Sequence, residues 1–286
     1  MRYVSKSILR EVYPTRPKWA HKGQFGKLLV VAGCRRFTGS PIFVGMAACR
    51  AGCDLVFIAA PERAADKAAR FSPNLITEPL KGCMLDMRNI RQVRDLIADT
   101  RPTAMVIGPA LWRAPATFRA IRALIKESAI PMVIDADAIR ALASAKEGAV
   151  RVLKGKTAVL TPHANEFLAL AGTRVSANVS ERIRAVKACA ARLGQAVLLK
   201  GHVDIISDGR AVVLNETGSP LMTKGGMGDT LAGICGAYLA RGCSPLTAAA
   251  AAAFVNGRAG ELAVKEKGES ALATDLIEKI PAAIKR

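Results

Sequence analysis

Short apolar runs that recur between helical patterns constrain the fold of this chain more than any other feature. The first run begins at Gly26 and ends in a glycine turn at Gly33, and the small-residue helix pattern of residues 40–50 follows it. Five similar runs lie at residues 54–60, 104–107, 132–134, 158–160 and 197–199. Continuous apolar strands that alternate with helices are typical of a parallel sheet covered on both faces. The sequence therefore predicts a three-layer α/β/α fold with a mostly parallel central sheet.

The pattern changes after Lys200. Residues 203–214 hold two β-rich runs joined through Asp-Gly, which predicts an antiparallel hairpin at the sheet edge. Helical patterns follow at residues 230–241, 245–264 and 274–284. Because no Ser/Gly-rich or Pro-rich linker divides the chain, we predict one domain over residues 23–286, preceded by an N-terminal segment over residues 1–22.

The charge balance raises the question of nucleic acid binding. The chain carries 42 Lys and Arg against 23 Asp and Glu, a formal net charge of +19. These basic residues are scattered along helices, and aromatic residues make up only 5% of the chain, so a stacking surface for single strands is not predicted. We therefore expect the positive field to attract small anions such as nucleotides and dinucleotides rather than nucleic acid.

The chain shows no signal for a membrane, for export or for a structural metal. No apolar run approaches the roughly 20 residues that span a bilayer, and the first residues lack the apolar core of a signal peptide. The seven cysteines are odd in number and include no Cys-x-x-Cys pair. We therefore predict a cytosolic protein with reduced thiols and without structural zinc.

Three glycines crowd the start of an apolar helix, in the run Thr-Lys-Gly-Gly-Met-Gly-Asp at residues 223–229. A glycine turn that exposes backbone N–H groups at a helix N-terminus forms a site for phosphate. Asp229 follows the glycines and can take a proton from a hydroxyl, which suits phosphoryl transfer. The alternative is that Asp229 only complements the helix dipole. The choice between these two roles depends on the neighbouring motifs.

Polar or glycine residues follow four of the predicted strands. These strand ends read Gly108-Pro109, Asp135-Ala136-Asp137, Thr161-Pro162-His163 with Glu166, and Lys200-Gly201-His202-Val203-Asp204. Each could be an ordinary turn or helix cap, and the two aspartates could instead bind a magnesium shell. Ligands of open α/β sheets bind at the carboxyl ends of strands, so the joint pattern predicts one ligand site there.

The order of these motifs resembles the ribokinase-like superfamily and, within it, the ADP- or ATP-dependent NAD(P)H-hydrate dehydratases. The resemblance runs from about Gly26 to the C-terminus. It rests on Gly39-Ser40 with Gly45-x-Ala47-Ala48-x-Arg50-Ala51-Gly52, on the four strand ends, on Asn215-x-x-Gly218 and on Gly225-Gly226-Met227-Gly228-Asp229. It implies a ribokinase-like α/β/α sandwich and an enzyme.

The resemblance also implies roles for individual residues. Ser40, Gly108 and His163 would line the site for hydrated NADH or NADPH, and Asp229 would be the catalytic residue that meets its hydroxyl. The adenine nucleotide would lie against Lys200, Gly201, His202, Val203, Asp204, Gly226 and Gly228. Mg²⁺ would bridge phosphate oxygens, with Glu166 acting on it indirectly. The donor would be ADP or ATP, and similarity to stand-alone prokaryotic members favours ADP.

The reaction implied is phosphorylation of the ring hydroxyl of the S-epimer, followed by loss of phosphate, which restores the reduced cofactor. The resemblance further implies a homo-oligomer, a tetramer in many members, and a functional link to a separate epimerase. Ala110 and Trp112 stand where the family usually has glycine, so we expect binding near Gly108 to differ. Ser219 replaces an asparagine, and Lys224 replaces a small residue and adds positive charge beside the glycines.

Two other functions remain open from the sequence. One is a small-molecule hydroxyl kinase of the same fold, acting on a thiazole or pyrimidine alcohol, in which no phosphate is eliminated. The other is a non-catalytic nucleotide sensor that keeps the pocket without turnover. The intact glycines and Asp229 argue against the sensor, and His163 with the Gly39-Ser40 turn favours the dehydratase.

Overall fold

A ten-stranded sheet forms the centre of the molecule in the computed structural model, which describes residues 2–285. The strands are β1 (Arg2–Tyr3), β2 (Lys27–Val31), β3 (Leu55–Pro61), β4 (Leu75–Leu80), β5 (Ala104–Ile107), β6 (Met132–Ile134), β7 (Ala158–Leu160), β8 (Ala196–Leu199), β9 (Asp204–Ser207) and β10 (Val212–Asn215). Their order across the sheet is β1-β10-β9-β8-β7-β6-β5-β2-β3-β4. Strands β2 to β8 pair in parallel, as predicted.

Helices cover both faces of the sheet. They are α1 (Leu9–Val12), α2 (Ser40–Arg50), α3 (Glu62–Phe71), α4 (Ile90–Thr100), α5 (Pro115–Glu127), α6 (Asp137–Ala143), α7 (Ala149–Leu153), α8 (Ala164–Ala171), α9 (Val179–Leu193), α10 (Met227–Ala240), α11 (Pro245–Lys267) and α12 (Ala273–Ile284). Short 3-10 helices lie at Lys6–Ile8, Met87–Asn89, Pro220–Met222 and Gly268–Ser270. Within residues 2–285, no helix is both long enough and apolar enough to span a membrane.

Two hydrophobic cores lie on opposite sides of the sheet, because successive side chains of a strand point to opposite faces. Along β2, Leu28 and Val30 pack with α1–α3 and α10–α12. Leu29 and Val31 pack with α4–α9. The three-layer α/β/α sandwich predicted from the sequence is confirmed.

The hairpin of β9 and β10 is antiparallel and joins the sheet through β8, as predicted. The short strand β1 pairs in parallel with β10 and extends the sheet by one strand beyond the hairpin. Ile8, Leu9 and Val12 are buried in the core beside α11. The N-terminal segment therefore packs on the sheet, while the domain boundary between residues 22 and 23 stays a prediction.

The strand order reverses between β2 and β5, since the chain runs from β2 to β4 in one direction and from β5 to β8 in the other. Open α/β sheets bind ligands in the crevice at such a switch point. The loops that border this crevice are residues 32–39, after β2, and residues 108–114, after β5.

Helices α2 and α10 pack against each other at short range. A Cβ on Gly233 of α10 would lie 2.2 Å from the backbone oxygen of Val44 in α2, so only glycine allows this approach. Ser40 begins α2, and Asp229 lies in the first turn of α10. The close packing brings these two side chains together at the carboxyl end of the sheet.

Candidate active site

The glycine turn before α10 has the geometry of an anion site. Gly226 precedes the helix with a φ of 91°, in the left-handed region that favours glycine. A Cβ at this position would lie 2.8 Å from Ala273 and 2.9 Å from Phe43, so the turn has no room for a side chain. The first N–H groups of a helix have no partners within it. The Met227 N–H donates to the backbone oxygen of Lys224 over 3.4 Å, so the N–H groups of Gly226 and Gly228 are the ones placed to bind phosphate oxygens.

Two buried polar side chains hold the start of α10 in place. The Thr230 hydroxyl donates to Asn256 Oδ1 over 2.7 Å, and the Asn256 amide donates to the backbone oxygen of Met227 over 3.4 Å. Sequence reasoning missed Asn256. The available signal was a single asparagine directly after the buried, apolar run of residues 248–255 in α11.

Asp229 lies at the N-terminal end of α10 with its carboxyl group largely out of solvent. Burial raises the pKa of Asp229 from 3.8 to about 7. The Ser40 side chain and Lys200 lower this pKa, whereas the negative charge of Asp135 raises it. A carboxylate with a pKa near neutrality is well matched to accept a proton from a substrate hydroxyl.

Lys200 forms a partly buried ion pair with the buried Asp135, and Thr161 supports it. Lys200 Nζ lies 3.0 Å from Asp135 Oδ1, and the Thr161 hydroxyl donates to the same oxygen over 2.7 Å. Burial alone would lower the pKa of Lys200. The negative charges of Asp135, Glu166 and Asp229 outweigh burial and raise it above its ordinary value. Lys200 is thus a fixed positive charge beside the first turn of α10.

His163 caps helix α8 and contacts Glu166. His163 Nδ1 accepts hydrogen bonds from the backbone N–H groups of Asn165 and Glu166, over 3.1 and 3.3 Å. The buried Glu166 carboxylate accepts from the His163 backbone N–H over 3.0 Å, and its other oxygen lies 3.2 Å from His163 Nε2. Since Nδ1 acts as an acceptor, the neutral ring carries its proton on Nε2.

A cleft of about 850 Å³ opens beside the glycine turn, which is a size that admits a nucleotide. Most of the residues that the resemblance assigns to the nucleotide line it, namely Lys200, Gly201, His202, Asp204 and Gly228. Their chain neighbours Val203 and Gly226 adjoin this wall. His163, which the resemblance assigns to the substrate, also lines the cleft.

Asp204 shapes the loop that forms one wall of the cleft. Its carboxylate accepts from the Gly201 backbone N–H over 2.9 Å and from the Asn215 amide over 3.0 Å. Burial raises the pKa of Asp204, although both hydrogen bonds act in the opposite direction. The Asp204 side chain therefore holds the loop, and the loop backbone and His202 remain to face a ligand.

Gly108, which follows β5, packs against the backbone after β6. A Cβ on Gly108 would lie 1.8 Å from the backbone oxygen of Asp135, and the φ of Gly108 is 127°. Asp137, a candidate magnesium ligand or cap from the sequence, accepts from the Trp112 backbone N–H over 3.0 Å and from Arg113 Nε over 3.1 Å. The Asp137 carboxylate therefore stabilises the conformation of the loop of residues 108–114.

We expect Gly108→Ala to destabilise the protein by about 3 kcal/mol or more, because the added methyl group meets a backbone oxygen and the φ is unsuited to alanine. The measurement is the midpoint of urea unfolding. Gly155→Ala is the matched control, since Gly155 also has a positive φ, of 73°, but its Cβ would meet open space. An equal loss in both variants would show that the contact with Asp135 does not matter.

The donor set at this site does not form a cage for a metal ion. Within residues 2–285, no cluster of three or more His, Cys, Asp or Glu side chains is placed to hold one. Mg²⁺ commonly binds through substrate phosphates and water with only one or two carboxylates. A Mg²⁺ ion that arrives with a nucleotide would need no more than one or two carboxylates from this site.

Comparison with known proteins identifies similar sequences and structures. The sequence model of a family described as NAD(P)H-hydrate dehydratase matches residues 28–282. An ADP-dependent (S)-NAD(P)H-hydrate dehydratase of Cenarchaeum symbiosum is 37% identical over 285 residues, which cover 99% of this chain and 97% of that protein. A bifunctional NAD(P)H-hydrate repair enzyme of Pyrobaculum aerophilum is 45% identical over 275 residues, which cover 95% of this chain. The chain spans about half of that relative, 53% of its length.

Among solved structures, this chain is similar to the ADP/ATP-dependent NAD(P)H-hydrate dehydratase of Bacillus subtilis that was co-crystallized with ATP/Mg²⁺. The TM-score is 0.83 at 25% sequence identity, and the match covers 99% of this chain and 97% of that one. The likeness extends over the sheet, both helical layers and the strand ends that carry the candidate site.

Proposed function

Since this chain belongs to the NAD(P)H-hydrate dehydratase family, we propose that it restores NADH and NADPH from their hydrated S-epimers, with ADP as the phosphate donor. One observation carries the proposal. Asp229, whose pKa is raised to about 7 by burial, lies at the N-terminus of α10 directly beside a cleft of nucleotide size. A proton acceptor and a phosphate site at one helix end suit phosphoryl transfer to a hydroxyl.

In the first step, ADP lies in the cleft with its terminal phosphate at the glycine turn, and the ring hydroxyl of the substrate meets Asp229. Asp229 accepts the hydroxyl proton, the hydroxyl oxygen forms a bond to phosphorus, and the bond from phosphorus to AMP breaks. The N–H groups of Gly226 and Gly228 and the Lys200 ammonium stabilise the negative charge on the transferred group. Ser40, Gly108 and His163 are proposed to position the hydrated ring.

In the second step, the carbon–oxygen bond of the phosphorylated ring breaks and phosphate leaves with the electron pair. The ring nitrogen supplies electrons to that carbon, and loss of a proton from the neighbouring carbon restores the double bond of the reduced cofactor. This step needs little from the protein beyond positioning and exclusion of water. The overall change is hydrated NADH plus ADP giving NADH, AMP and phosphate.

When bound with the nucleotide, Mg²⁺ supplies positive charge to the phosphate oxygens. The Glu166 carboxylate faces His163, so any influence of Glu166 on a metal would be indirect, as the resemblance implies. A homo-oligomeric state, a link to an epimerase and a cytosolic location stay predictions.

The pKa of Asp229 sets an expected pH dependence. Only the ionised carboxylate accepts a proton, and burial raises its pKa to about 7. We therefore expect kcat to fall about tenfold for each pH unit below 7 and to level off above it. The measurement is a pH–rate profile at saturating substrate and ADP. An acid limb centred near pH 4 would show that Asp229 titrates like an exposed carboxyl group.

Absorbance at 340 nm tests the function itself. The purified protein is mixed with hydrated NADH and Mg²⁺, with ADP or ATP added in separate reactions. We expect a rise in absorbance that depends on the nucleotide and is faster with ADP. Phosphoryl transfer to a thiazole or pyrimidine alcohol, without a rise on hydrated NADH, would instead identify a hydroxyl kinase. Binding of nucleotide without turnover of either substrate class would identify a sensor.

A further inference from the structure

Two aromatic rings and a guanidinium group form a surface cluster that the proposed reaction does not use; Phe37 and Arg36 are exposed and Trp112 is half-buried. The rings of Phe37 and Trp112 lie with their centroids 5.8 Å apart, inclined by 38°. The Arg36 guanidinium lies 5.5 Å from the Phe37 ring centre and 5.8 Å from that of Trp112. Phe37 is 47% exposed, although a large apolar side chain gains by burial.

The backbone around Trp112 is held in an unfavourable conformation. Trp112 has a φ of 83°, a left-handed value that is rare for a residue with a side chain. Its N–H donates to the buried Asp137 carboxylate, which also binds Arg113. Such strain persists only where the surroundings fix it, and it concentrates at binding sites.

The cluster borders the crevice where the strand order reverses. Phe37 belongs to the loop after β2, which leads into Ser40, and Trp112 belongs to the loop after β5, which begins at Gly108. A hydrogen bond of 2.8 Å from the Gly33 N–H to the Pro109 oxygen joins the two loops. The cluster therefore lies on the loops that carry proposed substrate residues, while loops 200–204 and 223–228 carry the nucleotide cleft.

From this placement we propose that the adenine ring of the dinucleotide substrate stacks on Phe37 and Trp112, and that Arg36 pairs with its phosphates. This inference rests on the proposed function, which fixes the hydrated ring beside Asp229 and Ser40. The remainder of a dinucleotide is an anionic pyrophosphate and a flat purine. Guanidinium groups bind phosphate, and aromatic side chains stack on bases, so each part of that remainder has a matching group.

The consequence is a preference for dinucleotides over mononucleotides. Hydrated NADH carries the adenylate half, whereas hydrated reduced nicotinamide mononucleotide lacks it and cannot reach the cluster. Removal of the Trp112 ring is therefore expected to weaken binding of the dinucleotide but not binding of the mononucleotide.

Trp112→Gly is the first test, because glycine accepts the left-handed backbone without strain and the fold is preserved. We expect the KM for hydrated NADH to rise about tenfold, while the KM for the hydrated mononucleotide, the KM for ADP and kcat stay within about twofold. Trp112→Phe keeps an aromatic ring at this position, so this variant is expected to retain most of the affinity for hydrated NADH. Trp19→Gly is the matched control, since Trp19 is 94% exposed and outside the cluster.

A fluorescence titration tests the same contact without turnover. The chain has two tryptophans, so a Trp19→Phe protein reports on Trp112 alone. With ADP present throughout, we expect NAD⁺ to quench this emission saturably, nicotinamide mononucleotide to quench it only weakly, and Phe37→Ala to raise the half-saturating NAD⁺ concentration about tenfold.

The outcomes separate the inference from the proposed function. An unchanged ratio of the two KM values in Trp112→Gly, or equal quenching by NAD⁺ and the mononucleotide, would overturn the stacking site. Wild-type protein that turns over neither hydrated substrate would instead overturn the proposed function, and the titration would still decide whether the cluster binds the adenylate half.

Discussion

Asp229→Asn is expected to lower kcat about 10³-fold while leaving the dissociation constant for ADP within about twofold of wild type. The asparagine keeps the size of the side chain but cannot accept the hydroxyl proton. The phosphate site is unaffected, because it is formed by backbone N–H groups at the start of α10. The measurements are steady-state recovery of NADH absorbance and calorimetric binding of ADP.

Asp229→Asn is also expected to change the stability of the protein, and a melting curve shows at the same time whether the variant is folded. The pKa of Asp229 is about 7 in the folded protein and near 3.8 when unfolded, so folding takes up a proton between these values. Stability therefore falls as pH rises from about 4 to 7, and the full penalty of the buried charge is present above 7. At pH 8, where Asp229 is ionised, we expect the melting temperature of Asp229→Asn to be higher than that of the wild type. At pH 5, where Asp229 is protonated, we expect the difference between the two melting temperatures to be smaller.

Asp66→Asn is the matched control, because Asp66 is exposed on α3 and is expected to change neither turnover nor melting temperature. Near wild-type turnover of Asp229→Asn would contradict the role of this carboxylate as the proton acceptor.

Lys200→Met is expected to have the second largest effect, because it removes the cation that Asp135, Glu166 and Asp229 share. Asp135 is buried, so removal of Lys200 leaves its carboxylate without its cation, and we expect a loss of stability of up to about 3 kcal/mol, the lower end for a fully buried pair. The pKa of Asp229 is expected to rise further, since Lys200 lowers it in the wild type. We therefore expect at least a hundredfold loss of turnover at pH 7 and an acid limb shifted to higher pH.

The pH–rate profile distinguishes this electrostatic role from simple loss of folding, since an unfolded fraction lowers the rate without moving the limb. Lys187→Met, at an exposed position on α9, is the matched control for loss of one lysine. A Lys200→Met profile centred at the wild-type pH would show that Lys200 does not act on Asp229.

The sequence predicted the buried strands well but missed both edge strands. Strands β2, β5, β6, β7 and β8 are continuous apolar runs, because both faces of a central strand are covered. Strand β4 contains Thr77, Glu78 and Pro79 and lies at the sheet edge, so it lacks that pattern. Strand β1 has only two residues and is defined by its partner β10.

The strand ends that the sequence singled out lie together at the candidate site, but the sequence did not predict the contacts between them. Lys200 and Asp135 are 65 residues apart, and their ion pair depends on strand order. Asp135 follows β6, Thr161 follows β7 and Lys200 follows β8, so adjacent strands bring the three side chains together. Helix α10 begins at Met227 rather than at the predicted Thr230, because Gly226 takes the left-handed turn and Gly228 lies within the helix.

The central claim is that the hydroxyl oxygen of the substrate leaves as part of phosphate. Hydrated NADH whose ring hydroxyl carries ¹⁸O, incubated with the protein, ADP and Mg²⁺, tests this claim directly by mass spectrometry of the phosphate released. We expect one ¹⁸O in each phosphate and one phosphate for each NADH formed. Release of the label as water, with phosphate free of ¹⁸O, would contradict phosphorylation of the ring hydroxyl beside Asp229.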